Sequence, residues 1–157
     1  MGFATHLGPW LLGTVKSTTG TTAGNIRNVG ATVVAQTIPV TYTTFDALTG
    51  TLGAIPAGSL ITGVQIITSA DFSSATTLKI TIGGVDVATA STITSAGFID
   101  VTIASTFAAT AANVGASDAL ITYTATGTAL TTGAATVVVQ YVVRNPNGSA
   151  NPSATQN

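Results

Sequence analysis

The chain has 157 residues, of which 45 % are hydrophobic and only 6 % charged, with a formal net charge of −1, one His and no Cys. Four basic residues in all provide no positive stripe for nucleic-acid phosphates and no basic face for a membrane-surface helix, and the lack of Cys excludes disulfides and thiolate metal sites. The rest of the composition, with 32 Thr and 17 Gly, disfavours helices and favours strands joined by tight turns.

Residues 1–30 show no sustained hydrophobic period, which predicts an extended arm rather than an element that packs alone. No basic region precedes its short apolar run, so we expect no secretory signal. That run, Trp10 to Leu12, either packs back onto the domain or inserts into a partner, where Trp is over-represented. Arg27 can form a bidentate bond to a carboxylate. The residues predicted to bind a partner are Trp10, Leu11, Leu12 and Arg27.

From residue 31 onward, apolar residues alternate with polar ones, which is typical of strands. The predicted strands, in chain order, are 31–35, 38–43, 60–68, 77–82, 85–88, 99–103, a strand around 121–123, and 137–143. Pro39 restricts its strand to an edge or a bulge, because proline cannot donate to a ladder. In the third strand, Val64 and Ile66 are predicted on one face, and Ile61 and Ile67 on the other.

The alternation also predicts which side chains are buried. On 77–82, Leu78, Ile80 and Ile82 are expected in the core, with Lys79 and its flanking threonines outside. The last strand should be covered on both sides, because Val138 and Val142 lie opposite its other apolar residues. The predicted core set is Leu78, Ile80, Ile82, Val137, Val139 and Tyr141. Residues 107–112 could form a helical turn, with little apolar bulk to anchor it.

These elements predict an all-β fold, an antiparallel β-sandwich or jelly roll of about eight strands. The length of the chain suits one domain. The predicted organisation is an arm at 1–30, the sandwich at 31–144 and a polar tail at 145–157. Two uncharged stretches, 47–70 and 119–143, reach membrane-spanning length, but Thr and Gly interrupt both, so no transmembrane helix is expected.

Few residues could carry catalysis. His6 is the single imidazole and lies in the arm, away from any nucleophile motif. The acids are widely separated in sequence, and Asp commonly lies in turns. Asp71 and Asp86 lie beside turn signals, so a calcium site shared with carbonyls stays open, although the spacing of a calcium-binding loop is absent. We predict no enzyme activity, no cofactor and no metal site. The acids are Asp46, Asp71, Asp86, Asp100 and Asp118.

Three segments together resemble a pattern found in small structural proteins of tailed bacteriophages. They are GTLGAIPAGSLITGVQIITSADFSSATTLKITIGG, TSAGFIDVTI and TALTTGAATVVVQYVV, and the likeness covers residues 49–143. The pattern combines a Pro-Ala-Gly corner, an outward turn that contains a Phe, a hairpin and a closing strand. The arm has no counterpart in it. The resemblance implies a jelly-roll or β-sandwich head decoration (cement) protein on the outer surface of the capsid, a trimer bound to the major capsid protein.

A second hypothesis is a tail or head fibre module that binds a host surface glycan. Sugar sites commonly present aromatic side chains, and Tyr42, Tyr123 and Tyr141 are all expected on buried strand faces. The number of copies per particle distinguishes the two roles. An enzyme is the third alternative, and the scarcity of titratable groups disfavours it.

Overall fold

The structure is a computed structural model that describes residues 33–127 and 129–144. The described strands are β1 (Val33–Thr41), β2 (Thr49–Ile55), β3 (Leu60–Ala70), β4 (Thr77–Ile82), β5 (Val85–Asp86), β6 (Ser91–Thr92), β7 (Gly97–Asp100), β8 (Ala119–Thr126) and β9 (Ala134–Val142). One short helix, α1 (Ala108–Ala112), follows a 3₁₀ turn at Ser105–Phe107, and another 3₁₀ turn covers Tyr42–Asp46.

The strands form two antiparallel sheets. Sheet A has the order β1-β9-β3-β7, and sheet B has the order β2-β8-β4-β5, with β6 also paired to β4. Apart from the run from β4 to β6, successive strands alternate between the sheets, as in a jelly roll. The predicted all-β antiparallel sandwich is therefore confirmed.

The first two predicted strands are in fact one. β1 runs without interruption through Pro39, which lies opposite Thr136 of β9. β1 is an edge strand of sheet A, as the proline predicted. β2 was not among the strands predicted from alternation, because its glycines dilute the apolar pattern. Gly50 has a packing reason: a Cβ there would lie 2.8 Å from the ring of Tyr123.

The predicted facing of β3 is wrong at one of its four residues. Val64 and Ile66 point into the core and Ile67 points out, as expected, but Ile61 is also buried. The ladder between β3 and β9 shifts register between Ile61 and Gly63. A bulge of this kind adds a residue and reverses the alternation on one side of it, so Ile61 returns to the core face.

The core lies between the sheets and contains all six residues of the predicted core set. The helical turn at 107–112 forms, and it is better anchored than its composition suggested. Phe107 is fully buried just before α1, and Ala111 within α1 is buried too. The predicted outward turn that contains Phe72 is wrong, because Phe72 packs into the core against Phe45, with ring centroids 5.5 Å apart.

Two side chains fasten the loops to the sheets. The hydroxyl of Tyr123 lies 2.5 Å from the carbonyl oxygen of Thr44 and 2.7 Å from that of Ala47, so it holds the turn after β1. Burial raises the pKa of Tyr123. After β9, Arg144 donates from Nε to the Gly58 carbonyl at 3.0 Å and from its terminal nitrogen to the Ala112 carbonyl. Backbone acceptors thus occupy this guanidinium.

The predicted burial of Val138 and Val142 is confirmed, since both side chains are 8 % exposed. They do not belong to the core cluster, however. They lie on the outer face of sheet A, on its second strand, with β1 on one side and β3 on the other. The predicted arm and tail lie outside the described residues. In the described part of the chain, no helix is long and apolar enough to cross a membrane.

Candidate functional site

The five aspartates lie in turns or on outward strand positions, as the sequence indicated, and most of them hold local structure. Asp71 Oδ1 accepts a hydrogen bond from the Ala96 amide at 2.6 Å, and Asp118 Oδ1 accepts one from the Ala57 amide at 3.0 Å. Across residues 33–127 and 129–144, no group of three or more His, Cys, Asp or Glu side chains could hold a metal ion. The sequence left open a calcium site at Asp71 and Asp86. Among the described residues, neither aspartate belongs to such a group.

The residues predicted to bind a partner, Trp10, Leu11, Leu12 and Arg27, lie outside the described residues, as does His6. Candidate surfaces within the described part are the two outer faces of the sandwich.

The outer face of sheet B is a threonine face. Alternation along β4, β8 and the first half of β2 places the hydroxyl residues outside and, apart from Leu120, the large apolar ones inside. Thr77 and Thr126 lie opposite each other, and their hydroxyl oxygens are 2.6 Å apart. The threonine face consists of Thr49, Thr51, Thr77, Thr81, Thr92, Thr122, Thr124 and Thr126.

One ion pair crosses the threonine face. Lys79 Nζ donates to Asp86 Oδ2 at 2.9 Å, and the Thr81 hydroxyl donates to Asp86 Oδ1 at 2.8 Å. The hydrogen bonds from Lys79 and Thr81 hold the pKa of Asp86 below its ordinary value. The pair is exposed, so it contributes little to stability. Its main effect is to satisfy the charges of this face locally.

The outer face of sheet A is an apolar face, and the register arranges it in rows. In the first row Phe98 of β7 lies opposite Ile67 of β3, which lies opposite Thr136 of β9. In the last row Leu60 lies opposite Val142, which lies opposite Val33. The apolar face consists of Val33, Leu60, Ile67, Phe98, Val138 and Val142.

Phe98 is the most exposed large apolar side chain of the described residues, at 61 %, and its neighbour Ile67 is 38 % exposed. Sequence reasoning placed Ile67 away from the core but did not single out Phe98. A signal was present: Ile99, Val101 and Ile103 alternate with polar residues in the predicted strand 99–103, so the residue before Ile99 falls on the outward side. Asp100 is on the same face, opposite Gln65, and its carboxylate forms no ion pair with another described residue.

Both ends of the described chain leave the sandwich at one place. Val33 begins β1 opposite Val142 near the end of β9. Beside them Val34 and Val143 are 38 % and 37 % exposed. The segments 1–32 and 145–157 therefore start from the same end of sheet A, next to the last row of the apolar face.

No protein-family model matches this chain, and no curated protein matches it. Among solved structures, it is similar to a chain of the acidic stable capsid structure of Helicobacter pylori bacteriophage KHP30. The TM-score is 0.47 and the identity 12 %, over 78 % of this chain and 93 % of that chain. At this score and identity, the similarity assigns no function to the protein described here.

Proposed function

We propose that this protein is a structural component of a bacteriophage virion, a decoration protein that binds major capsid subunits on the outer surface of the head. The observation that carries the proposal is the pair of adjacent exposed apolar side chains, Phe98 and Ile67, on the outer face of sheet A of a jelly-roll sandwich. Large apolar side chains exposed side by side commonly mark sites of protein association. The segments at 49–143 that resemble tailed-phage structural proteins support the choice of particle.

The composition of the surface also favours assembly over catalysis. Short threonine, alanine and glycine side chains lose little conformational entropy when two surfaces meet. Because the chain has few charged side chains, few charges must be desolvated when its surface meets another subunit. The role proposed is therefore packing between subunits, with no reaction assigned to any residue.

We place the attachment at the end of sheet A where both terminal segments begin. The predicted anchors Trp10, Leu11 and Leu12, with Arg27 as the hydrogen-bonding cation, belong to the segment that enters β1 there. Deleting residues 1–30 should leave a folded sandwich that no longer loads onto undecorated heads. Full loading by the truncated chain would instead show that a face of the sandwich makes the attachment.

A glycan-binding fibre module shares this fold class, because jelly rolls also occur in lectins and a fold alone does not set a function. The tyrosines give it little support. Tyr123 and Tyr141 are buried, and Tyr42 is half-buried against the core, so none of the three forms an open aromatic platform.

The test is to measure how many copies of this chain a purified virion contains and where on the virion they lie, for the phage whose genome encodes it. Quantitative mass spectrometry gives copies relative to the major capsid protein, and gold-labelled antibody gives the location. Copies comparable in number to capsid subunits, on the head, are expected. A few copies at the tail or at fibres would favour the glycan-binding alternative, and absence from the virion would overturn both.

We further propose that the isolated protein is an oligomer, a trimer by its resemblance to decoration proteins. Closed symmetry buries the same patch on every copy, which limits indiscriminate association of a weakly charged surface. Light scattering across a dilution series should give a fixed multiple of the mass of one chain. A monodisperse monomer at all concentrations would contradict this.

A further inference from the structure

We propose that in the isolated chain the segment 1–32 folds back over the apolar face of its own sandwich, with Trp10, Leu11 and Leu12 covering Phe98 and Ile67. This inference concerns the free chain and does not depend on the proposed function. Three features support it: where the segment begins, how charge is divided along the chain, and which outer face offers apolar surface.

The segment begins on the face that it is proposed to cover. Val33 is itself part of the apolar face and forms the corner of its last row. An extended chain spans at most about 3.3–3.6 Å per residue, so the 23 residues from Trp10 to Val33 reach any point of the sheet. Because the segment is covalently joined to the face at Val33, its contact with that face is intramolecular and needs no second chain.

Charge is divided between the segment and the sandwich. Residues 1–32 contain Lys16 and Arg27 and no acid, a formal charge of +2. Residues 33–144 contain two bases and five acids, a formal charge of −3. In the sandwich, Lys79 is paired with Asp86 and Arg144 is bound to backbone carbonyls. Among the described residues no base pairs with Asp100, and the segment carries two bases and no acid, so it can supply the missing cation.

Asp100 is placed to receive Arg27. It lies in the row Asp100, Gln65, Val138, Thr37, which crosses the middle of the apolar face. From Val33, that point is four residues along β1 and three strands across, roughly 20 Å at about 3.3 Å per residue and 4.8 Å per strand. The six residues from Arg27 to Val33 span at most about 20 Å when extended. A diagonal path across the face thus brings the guanidinium to the carboxylate.

The two outer faces differ in what they offer an apolar segment. The threonine face presents hydroxyls and one ion pair, with Leu120 at its margin. The apolar face presents Phe98 and Ile67 side by side. A Trp-Leu-Leu run gains free energy by burying apolar area, and that gain is larger against Phe98 and Ile67 than against threonine hydroxyls.

Trp10 is the single tryptophan of the chain, so its fluorescence reports on this contact directly. In the full-length protein we expect an emission maximum at shorter wavelength than that of the unfolded chain, and protection from acrylamide quenching. Phe98→Ser should shift the emission toward that of the unfolded chain and remove the protection. Leu120→Ser, which changes an apolar residue of similar exposure on sheet B, is the matched control and should change neither.

The charge contact is tested in the same assay. Asp100→Asn should raise quenching of Trp10 at low salt and have a smaller effect at high salt, where the pair is screened. Asp46→Asn, which removes an exposed carboxylate from the 3₁₀ turn, is the control. Quenching of the wild-type protein equal to that of the unfolded chain would overturn the proposal.

A mixing experiment separates folding back from exchange between copies. One chain carries Trp10→Phe and an intact face, and the other keeps Trp10 and carries Phe98→Ser. Folding back predicts that Trp10 stays exposed in the mixture after joint refolding, since its own face is altered. A blue shift that develops only on mixing would show that the segment covers a neighbouring copy, and the proposal would be wrong.

Discussion

The two outer faces of this sandwich are built by the same alternation yet end as different surfaces. On sheet B each outward position of the central strands is Thr, Lys or Leu120, and the two charges are satisfied by each other. On sheet A the outward positions include Phe98, Ile67 and Val33, with Asp100 left without an ionic partner among the described residues. Both sheets cover one core, so the core does not explain the difference. The difference lies in the outward residues themselves, and sheet A is the side on which the proposed contacts are made.

The largest expected effect concerns the division between inner and outer faces on β4. Ile80 is 4 % exposed and packs in the core, whereas Thr81 points outward beside it. Truncating a buried Ile leaves a cavity, so Ile80→Ala should cost about 2–5 kcal/mol of unfolding free energy. Thr81→Ala should cost less than about 1 kcal/mol. Denaturant titration measures both, and equal losses would mean that the assigned facing of β4 is wrong.

A smaller effect separates the two faces of β9. Val137 is fully buried between the sheets, and Val138 is 8 % exposed on the apolar face. Removing two methyl groups costs about 1.6 kcal/mol of transfer energy, to which a closed cavity adds further loss at position 137. Val137→Ala should therefore destabilise the chain more than Val138→Ala does.

The same comparison also probes the covering segment. In the chain that lacks residues 1–30, the loss caused by Val138→Ala should shrink if that segment covers Val138. The loss caused by Val137→Ala should stay the same, because the sandwich core does not depend on the segment. An unchanged loss at position 138 would argue that neighbouring strands alone bury this valine.

On the threonine face the expected effects are weaker still. The hydroxyls of Thr77 and Thr126 form a cross-strand pair, and pairs of this kind contribute about 0.2–1 kcal/mol. Thr126→Val keeps the shape and removes the hydroxyl that also accepts from the Thr77 amide at 3.2 Å. We expect a loss within that range by thermal unfolding. Thr124→Val, on the same strand and face, is the matched comparison and should cost less.

Much of this fold follows from the sequence because burial on one side of a strand forces period-two alternation. β4 and β8 show it plainly, and the six core residues predicted on β4 and β9 all lie in the core. β2 was missed because its glycines interrupt the apolar pattern, and the need for glycine at position 50 is explained only by the ring of Tyr123, which lies opposite it on the neighbouring strand β8. Ile61 was misplaced because a bulge is a pairing event between two strands and leaves no mark in one of them.

The candidate surface was harder to predict than the core. A Phe considered alone is expected in a core. Phe98 is exposed on the outer face of sheet A, where β7 is the edge strand. Phe72 reads as an outward turn residue, and it is buried because the turn folds against Phe45. For Phe72 the decisive contact comes from a distant part of the chain, which alternation cannot report, whereas for Phe98 the alternation of its own strand carried the signal.

The smallest expected effect is the pH dependence of the ion pair on the threonine face. The pKa of Asp86 is lowered in the folded chain by its hydrogen bonds to Lys79 and Thr81. The unfolded chain therefore binds this proton more readily, and the stabilisation by Asp86 is complete above the ordinary aspartate pKa of about 3.9. It is lost as the pH falls through the lower folded pKa.

Melting temperatures of the wild type and Asp86→Asn should differ slightly at neutral pH and converge in acid. Lys79→Gln should flatten the same dependence, since it removes the main hydrogen bond that lowers the pKa. A difference between wild type and Asp86→Asn that persists unchanged well below that pKa would show that packing, and not charge, accounts for the effect of Asp86 on this face.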